Sequence, residues 1–205
     1  MRSFFRDYLL DMAMYMLVFI VVYTIIRYKV IKRKEIKVRF SQEILLLIFW
    51  SYIVGVLSQT VIPIWHVYPD GNFYRIEVCR GISSVNFIPF RTIVSYLVEN
   101  GKHTTDWGYI SIVNLCANIF LLFPFGLLLP MVFKSVQKGK RVIGFGMLFS
   151  IMIEILQILP GRSSDIDDVI LNTLGCILGY LLYKLMARSD HSRQKTTVHA
   201  KGVDC

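Results

Sequence analysis

Apolar length constrains this chain more than any other property. Stretches 8–26, 44–62, 109–133 and 142–159 approach or exceed the roughly 20 residues needed to cross about 30 Å of hydrocarbon, and 169–186 is just long enough. The expected fold is therefore an all-α membrane protein, a bundle of about five transmembrane helices with a short interfacial helix in an outer loop. A composition that is 55% hydrophobic and a mean hydropathy of +0.54 agree with lipid as the solvent. Stretch 8–26 has the length of a secretory signal, but it lacks a small-residue cleavage site, contains Asp11 and runs straight into a basic segment, so it reads as a retained helix.

Three regions follow: 1–43, a first span with a basic loop; 44–188, the main membrane domain; and 189–205, a polar, aperiodic tail expected to be disordered. The net charge of +9 would point to nucleic acid in a soluble protein, so the placement of the charges decides its meaning. Arg27, Lys29, Lys32, Arg33, Lys34, Lys37 and Arg39 lie between the first two spans. Lys134, Lys138, Lys140 and Arg141 lie between the third and fourth, and Lys184, Arg188, Arg193, Lys195 and Lys201 close the last span and follow it. Alternate loops thus carry most of the 23 basic residues. The positive-inside rule makes those loops cytoplasmic, with the N-terminus outside and the C-terminus inside the cell. Membrane lipid, and no nucleic acid, is the partner this pattern implies.

The cysteines and histidines are scattered, without the spacing of a disulfide framework or a zinc peptidase. No cofactor and no metal are expected. The acidic run Asp165, Asp167, Asp168 has oxygen ligands suited to magnesium or calcium, but it suits a helix start better. In the long loop 63–108, Pro69, Asp70, Gly71 and Asn72 mark a turn. Further on, Phe90, Ile93, Val94 and Leu97 fall at helical spacing over a segment too short to span, with Pro89 near its first turn, and predict an amphipathic helix in the outer interface.

Polar residues inside the spans carry the most information, because an ionised carboxylate at mid-bilayer costs about 2.5–3.5 kcal/mol even on insertion scales. Asn114 and Asn118 are four apart and share a helix face; Glu154 and Gln157 are three apart near the end of the fourth span; Asp168, Asn172, Gly175 and Gly179 form one stripe on the fifth. The third and fifth spans begin on the side where the fourth ends. These groups therefore lie at similar depth whichever way the chain is oriented. Residues 161–168 then cap that region with Arg162 and three carboxylates, and Ser164 or Asp165 is placed to cap the last helix. A purely structural reading joins the helices through Asn–Asn and Asn–Glu hydrogen bonds and a Glu154–Arg162 pair, with Gly175 and Gly179 giving close approach. A functional reading makes the same groups a polar pocket open to the outer leaflet.

The ordered series Asn114, Asn118, Leu122, Pro124, Phe125, Gly126; Ser150, Glu154, Gln157; Gly161, Arg162, Asp165, Asp167, Asp168, Asn172, Gly175, Gly179, Tyr180, preceded by Asn86, Pro89 and Phe90, closely resembles the VanZ-like membrane proteins. The resemblance covers about half the chain. Cys176 departs from it, standing where a small residue such as glycine is expected. The resemblance implies a multi-pass protein of bacterial cell membranes, in a family whose namesake is associated with resistance to glycopeptide antibiotics, teicoplanin in particular. From their shared depth beside a lipid-accessible opening, Asn86, Arg91, Asn118, Glu154, Gln157, Arg162, Asp165, Asp168 and Asn172 are expected to line a pocket for an amphiphile such as a lipid-linked wall precursor or a lipoglycopeptide. A membrane-embedded hydrolase or transferase acting on lipid head groups is the alternative, with Glu154 and Asp168 as candidate catalytic carboxylates. A transporter is a third possibility, though no repeat supports it.

Overall fold

The computed structural model describes residues 2–35, 38–60, 65–70, 73–78, 85–100 and 106–201. Six helices dominate them: α1 (Arg2–Lys34), α2 (Phe40–Thr60), α3 (Arg91–Asn100), α4 (Asp106–Val132), α5 (Gly139–Gln157) and α6 (Ile166–Lys201). The segments Met12–Lys34, Phe40–Thr60, Val113–Val132 and Ile166–Ser189 are long and apolar enough to cross a membrane. The remaining expected span is α5, a 19-residue helix of the same bundle that carries Lys140 and Arg141 at its start and Glu154 near its end. The chain is thus a predominantly helical membrane protein.

Sheet is confined to short pieces. β1 (Trp65–Asp70) and β2 (Phe73–Val78) form an antiparallel hairpin where the sequence marked only a turn, and Gly71 and Asn72 lie outside the described residues. β3 (Val85–Asn86) pairs in parallel with β4 (Ser164–Asp165), tying the segment before α3 to the start of α6. A short 3-10 helix, Lys134–Val136, joins α4 to α5.

The bundle is organised around α4 and α6. Lipid tails are as apolar as leucine, so helices in a membrane associate through close backbone packing and polar contacts. Gly126 of α4 faces the Cys176 carbonyl, while Gly175 and Gly179 of α6 face the Ile119 and Phe123 carbonyls; a Cβ at any of the three would overlap those atoms. Cys176 occupies its small-residue place for the same reason. It is fully buried, with its backbone on Gly126 and its Sγ against Gly146 of α5. Around this seam Phe49, Ile53, Leu122, Phe125, Leu129, Val142, Ile153 and Tyr180 form one core, with Phe125 and Phe149 stacked at 5.1 Å. Pro124 lacks the N–H that would close its turn of α4, and the Tyr52 hydroxyl of α2 donates to the Leu121 carbonyl in that turn.

α1 lies against α2. Gly55 sits over the Met16 thioether, and Arg27 makes a two-pronged ion pair with Glu43 at 2.7 and 2.8 Å. At the other end of the chain α6 stays helical to Lys201, where disorder from residue 189 was expected. A helix already nucleated by a packed segment gains one backbone hydrogen bond for each further residue it fixes, so polar composition alone did not mark its end.

Candidate functional site

The polar side chains of α4, α5 and α6 meet at one end of the bundle around a cavity of about 490 Å³. Two acids build its frame. The buried Asp167 carboxylate accepts from the backbone N–H groups of Phe90, of Thr92 at 2.8 Å and of Ile93 at 3.1 Å. These belong to the orphan donors at the N-terminus of α3, so a residue of α6 caps α3 across the fold. The bond to Phe90 also holds that residue at φ 64°, a left-handed conformation costing roughly 1–2 kcal/mol for an L-residue. Asp165 caps its own helix, its Oδ1 accepting the Asp167 N–H at 2.9 Å. It also accepts from Asn86 Nδ2 at 3.1 Å and from the Thr92 hydroxyl. β3, the turn at Pro89–Phe90 and the start of α3 are thereby fastened to the start of α6.

Inside this frame Glu154 is buried, and its Oε2 accepts the Asp165 N–H at 2.9 Å. Asn118 donates to Asp168 Oδ1 across the α4–α6 seam. Asn172, 1% exposed, donates through Nδ2 to the buried Ser150 hydroxyl at 3.0 Å, and its Oδ1 has no donor. At the rim Arg162 donates through Nη1 to the Gln59 carbonyl at 2.7 Å.

Of the residues singled out from sequence, Asn118, Glu154, Gln157, Arg162, Asp165, Asp168 and Asn172 line this one cavity. Asn86 stands behind the lining, bonded to Asp165 and Thr92. Arg91 is exposed and outside the lining. The anticipated Glu154–Arg162 pair does not form; among the described residues the ion pair present is Arg27–Glu43. The arginine reaches a helix-end carbonyl of α2, whose last-turn carbonyls lack intrahelical donors, and the carboxylate takes a backbone N–H instead. Asn114, grouped with Asn118 in the polar cluster from its spacing, also lines the cavity; sequence reasoning missed Gln59, Thr60, Thr92 and Ser163 as lining residues and read Asp167 only as part of an acidic helix start. Gln59 and Thr60 were detectable as polar residues closing an apolar span. Nothing in the sequence marked Thr92. Among the described residues no group of three or more His, Cys, Asp or Glu is placed to hold a metal ion.

Fold and cavity together define a multi-helical membrane protein with a polar chamber at one end of its bundle. The chain belongs to the VanZ/LLP1 family, whose model matches residues 12–187. It is similar to Protein VanZ of Enterococcus faecium, 39% identical over 79 residues, which are 38% of this chain and 47% of that protein. The chain therefore spans about half the length of that relative. No solved structure matches.

Proposed function

We propose that this is a cell-envelope protein whose cavity receives the polar head of a membrane amphiphile, a lipid-linked wall precursor or a lipoglycopeptide, and so contributes to resistance against glycopeptides of the teicoplanin type. One observation carries the reading: the cavity adjoins an apolar surface. Asp165 and Asp167 fasten to its wall the segment bearing Phe87, Ile88, Phe90 and Val94, all exposed, with Phe87 at 80%. An amphiphile lying along that surface sets its tail in the bilayer and its head against Asn118, Glu154 and Asp168. The basic residues Lys32, Arg33, Lys34, Lys134, Lys138, Lys140 and Arg141 belong to the opposite helix ends. The positive-inside rule then turns the cavity outward, with the N-terminus outside and the C-terminus in the cytoplasm.

The test is expression in a susceptible bacterium, comparing the parent chain with the double variant E154Q/D168N at matched membrane abundance. Resistance to teicoplanin should be present with the parent and lost with the variant; unchanged resistance at equal abundance refutes the reading. Because Glu154 and Asp168 line the same cavity, a head-group hydrolase or transferase is the second reading. Turnover of a lipid-linked substrate by the purified parent chain, abolished in the same variant, would favour it over binding alone.

A further inference from the structure

We infer that the cavity selects heads that carry a protonated amine, an inference resting on its reading as a head-group pocket. The acidic groups of the site differ in which oxygens still lack a donor. Asp167 is occupied by three backbone N–H groups, and Asp165 by Asn86, Thr92 and the Asp167 N–H. Asp168 is different: Asn118 takes one of its oxygens, and no described residue donates to the other. Asn172 is 1% exposed, lines the same cavity and leaves Oδ1 without a donor. A buried amide oxygen in that state is rare in a folded protein and calls for a partner. The buried carboxyl group of Glu154 adds a second acidic side chain to the same lining.

The cavity thus presents acceptor oxygens and carboxyl groups. Among the described lining residues the one cation, Arg162, is exposed and directed at the Gln59 carbonyl on the rim. An ammonium group offers three N–H donors and no acceptor, which suits the open Asp168 oxygen, Asn172 Oδ1 and the Glu154 carboxyl. A phosphate or carboxylate placed there would bring only acceptors and a like charge. A bare metal ion is disfavoured by the ligand geometry, since no three acidic, His or Cys groups among the described residues converge. At about 490 Å³ the space also exceeds an ammonium alone and falls in the range of small-molecule sites, so the amine enters as the end of a larger head.

The experiment uses the full chain purified in detergent and native mass spectrometry, with phosphatidylethanolamine, its N-acetylated counterpart and phosphatidylglycerol of identical acyl chains. The amine lipid should be retained at least about tenfold better than either of the others, the step expected of one charge-assisted contact. D168N, which keeps the side-chain shape and an acceptor for Asn118, should reduce that preference to about twofold or less. The lipid comparison on the unaltered chain decides the question even where a variant fails to fold. Soluble phosphoethanolamine separates the sources: displacement of the lipid at millimolar concentration means that the free head suffices, and retention of the lipid means that the amine must be membrane-borne; either supports amine recognition. Equal retention of all three lipids, or preference for phosphatidylglycerol, overturns the amine inference and leaves the head-group pocket standing. Retention of none overturns both.

Discussion

Replacing Asp167 with alanine should release α3 from the bundle without dissolving the bundle itself. The carboxylate supplies the acceptors for three backbone N–H groups, those of Phe90, Thr92 and Ile93, and no other acceptor takes their place. Losing an N-cap costs about 0.5–2 kcal/mol, and hydrogen bonds to a charged group contribute roughly 1.5–3 kcal/mol each when nothing replaces them. The side chain is fully buried, yet Phe90 and Arg91 are exposed, so water can reach part of the freed backbone. That places the local penalty at about 2–4 kcal/mol, below a simple sum of the three bonds. At about 1.4 kcal/mol per factor of ten, amide exchange at Phe90, Thr92 and Ile93 should accelerate by about 30- to 700-fold. Hydrogen exchange on the protein in nanodiscs reads this out, with the amides of the α4–α6 seam as internal reference. Unchanged exchange at the three amides, with the seam intact, would refute the capping argument. Accelerated exchange throughout would show that α3 is not a separable unit.

Other positions give sharper contrasts. Gly179→Leu drives a side chain into the Phe123 carbonyl and should lower the stability of the detergent-solubilised chain by about 3 kcal/mol or more, whereas Gly144→Ala meets nothing within 4 Å and should be neutral or stabilising by up to about 1 kcal/mol; thermal unfolding of the two ranks them. Tyr52→Phe removes the donor to the Leu121 carbonyl and should cost about 1 kcal/mol in the same assay. Glu43→Gln breaks a pair whose side chains are 31% and 18% exposed, so its effect should stay within about 1 kcal/mol and shrink as salt is raised; a larger, salt-independent loss would contradict the screened-pair picture.

Much of this architecture is legible in the sequence because the membrane removes alternatives. Apolar length predicts the helices; the spacing of Gly175 and Gly179 predicts a small-residue face; and the shared chain direction of the third and fifth spans predicts that Asn118, Glu154, Asp168 and Asn172 sit at one level. Partner choice is not legible in the same way. Arg162 and Glu154 attract each other by charge, but each finds a backbone group whose position depends on where α2 ends and how β4 runs. Asp167 looks like an ordinary acid in a first helical turn, and its partners lie 74 to 77 residues away, in a loop whose turn is itself set by that contact. Cys176 reads as a departure until its backbone is seen against Gly126, where what matters is small size rather than glycine's freedom. The tail after residue 189 shows the opposite limit: composition describes what a segment cannot bury, not whether a preceding helix carries it along.

The most direct test is a solid-state NMR distance in lipid bilayers between the Asn118 side-chain nitrogen and the Asp168 carboxyl carbon. A short-range through-space nitrogen–carbon cross-peak joining α4 to α6 is expected, because the amide donates to that carboxylate at the head of the chamber. No cross-peak from a folded sample, or Asp168 coupled instead to bulk lipid, would mean that the hydrophilic side chains do not converge and that the chamber does not exist.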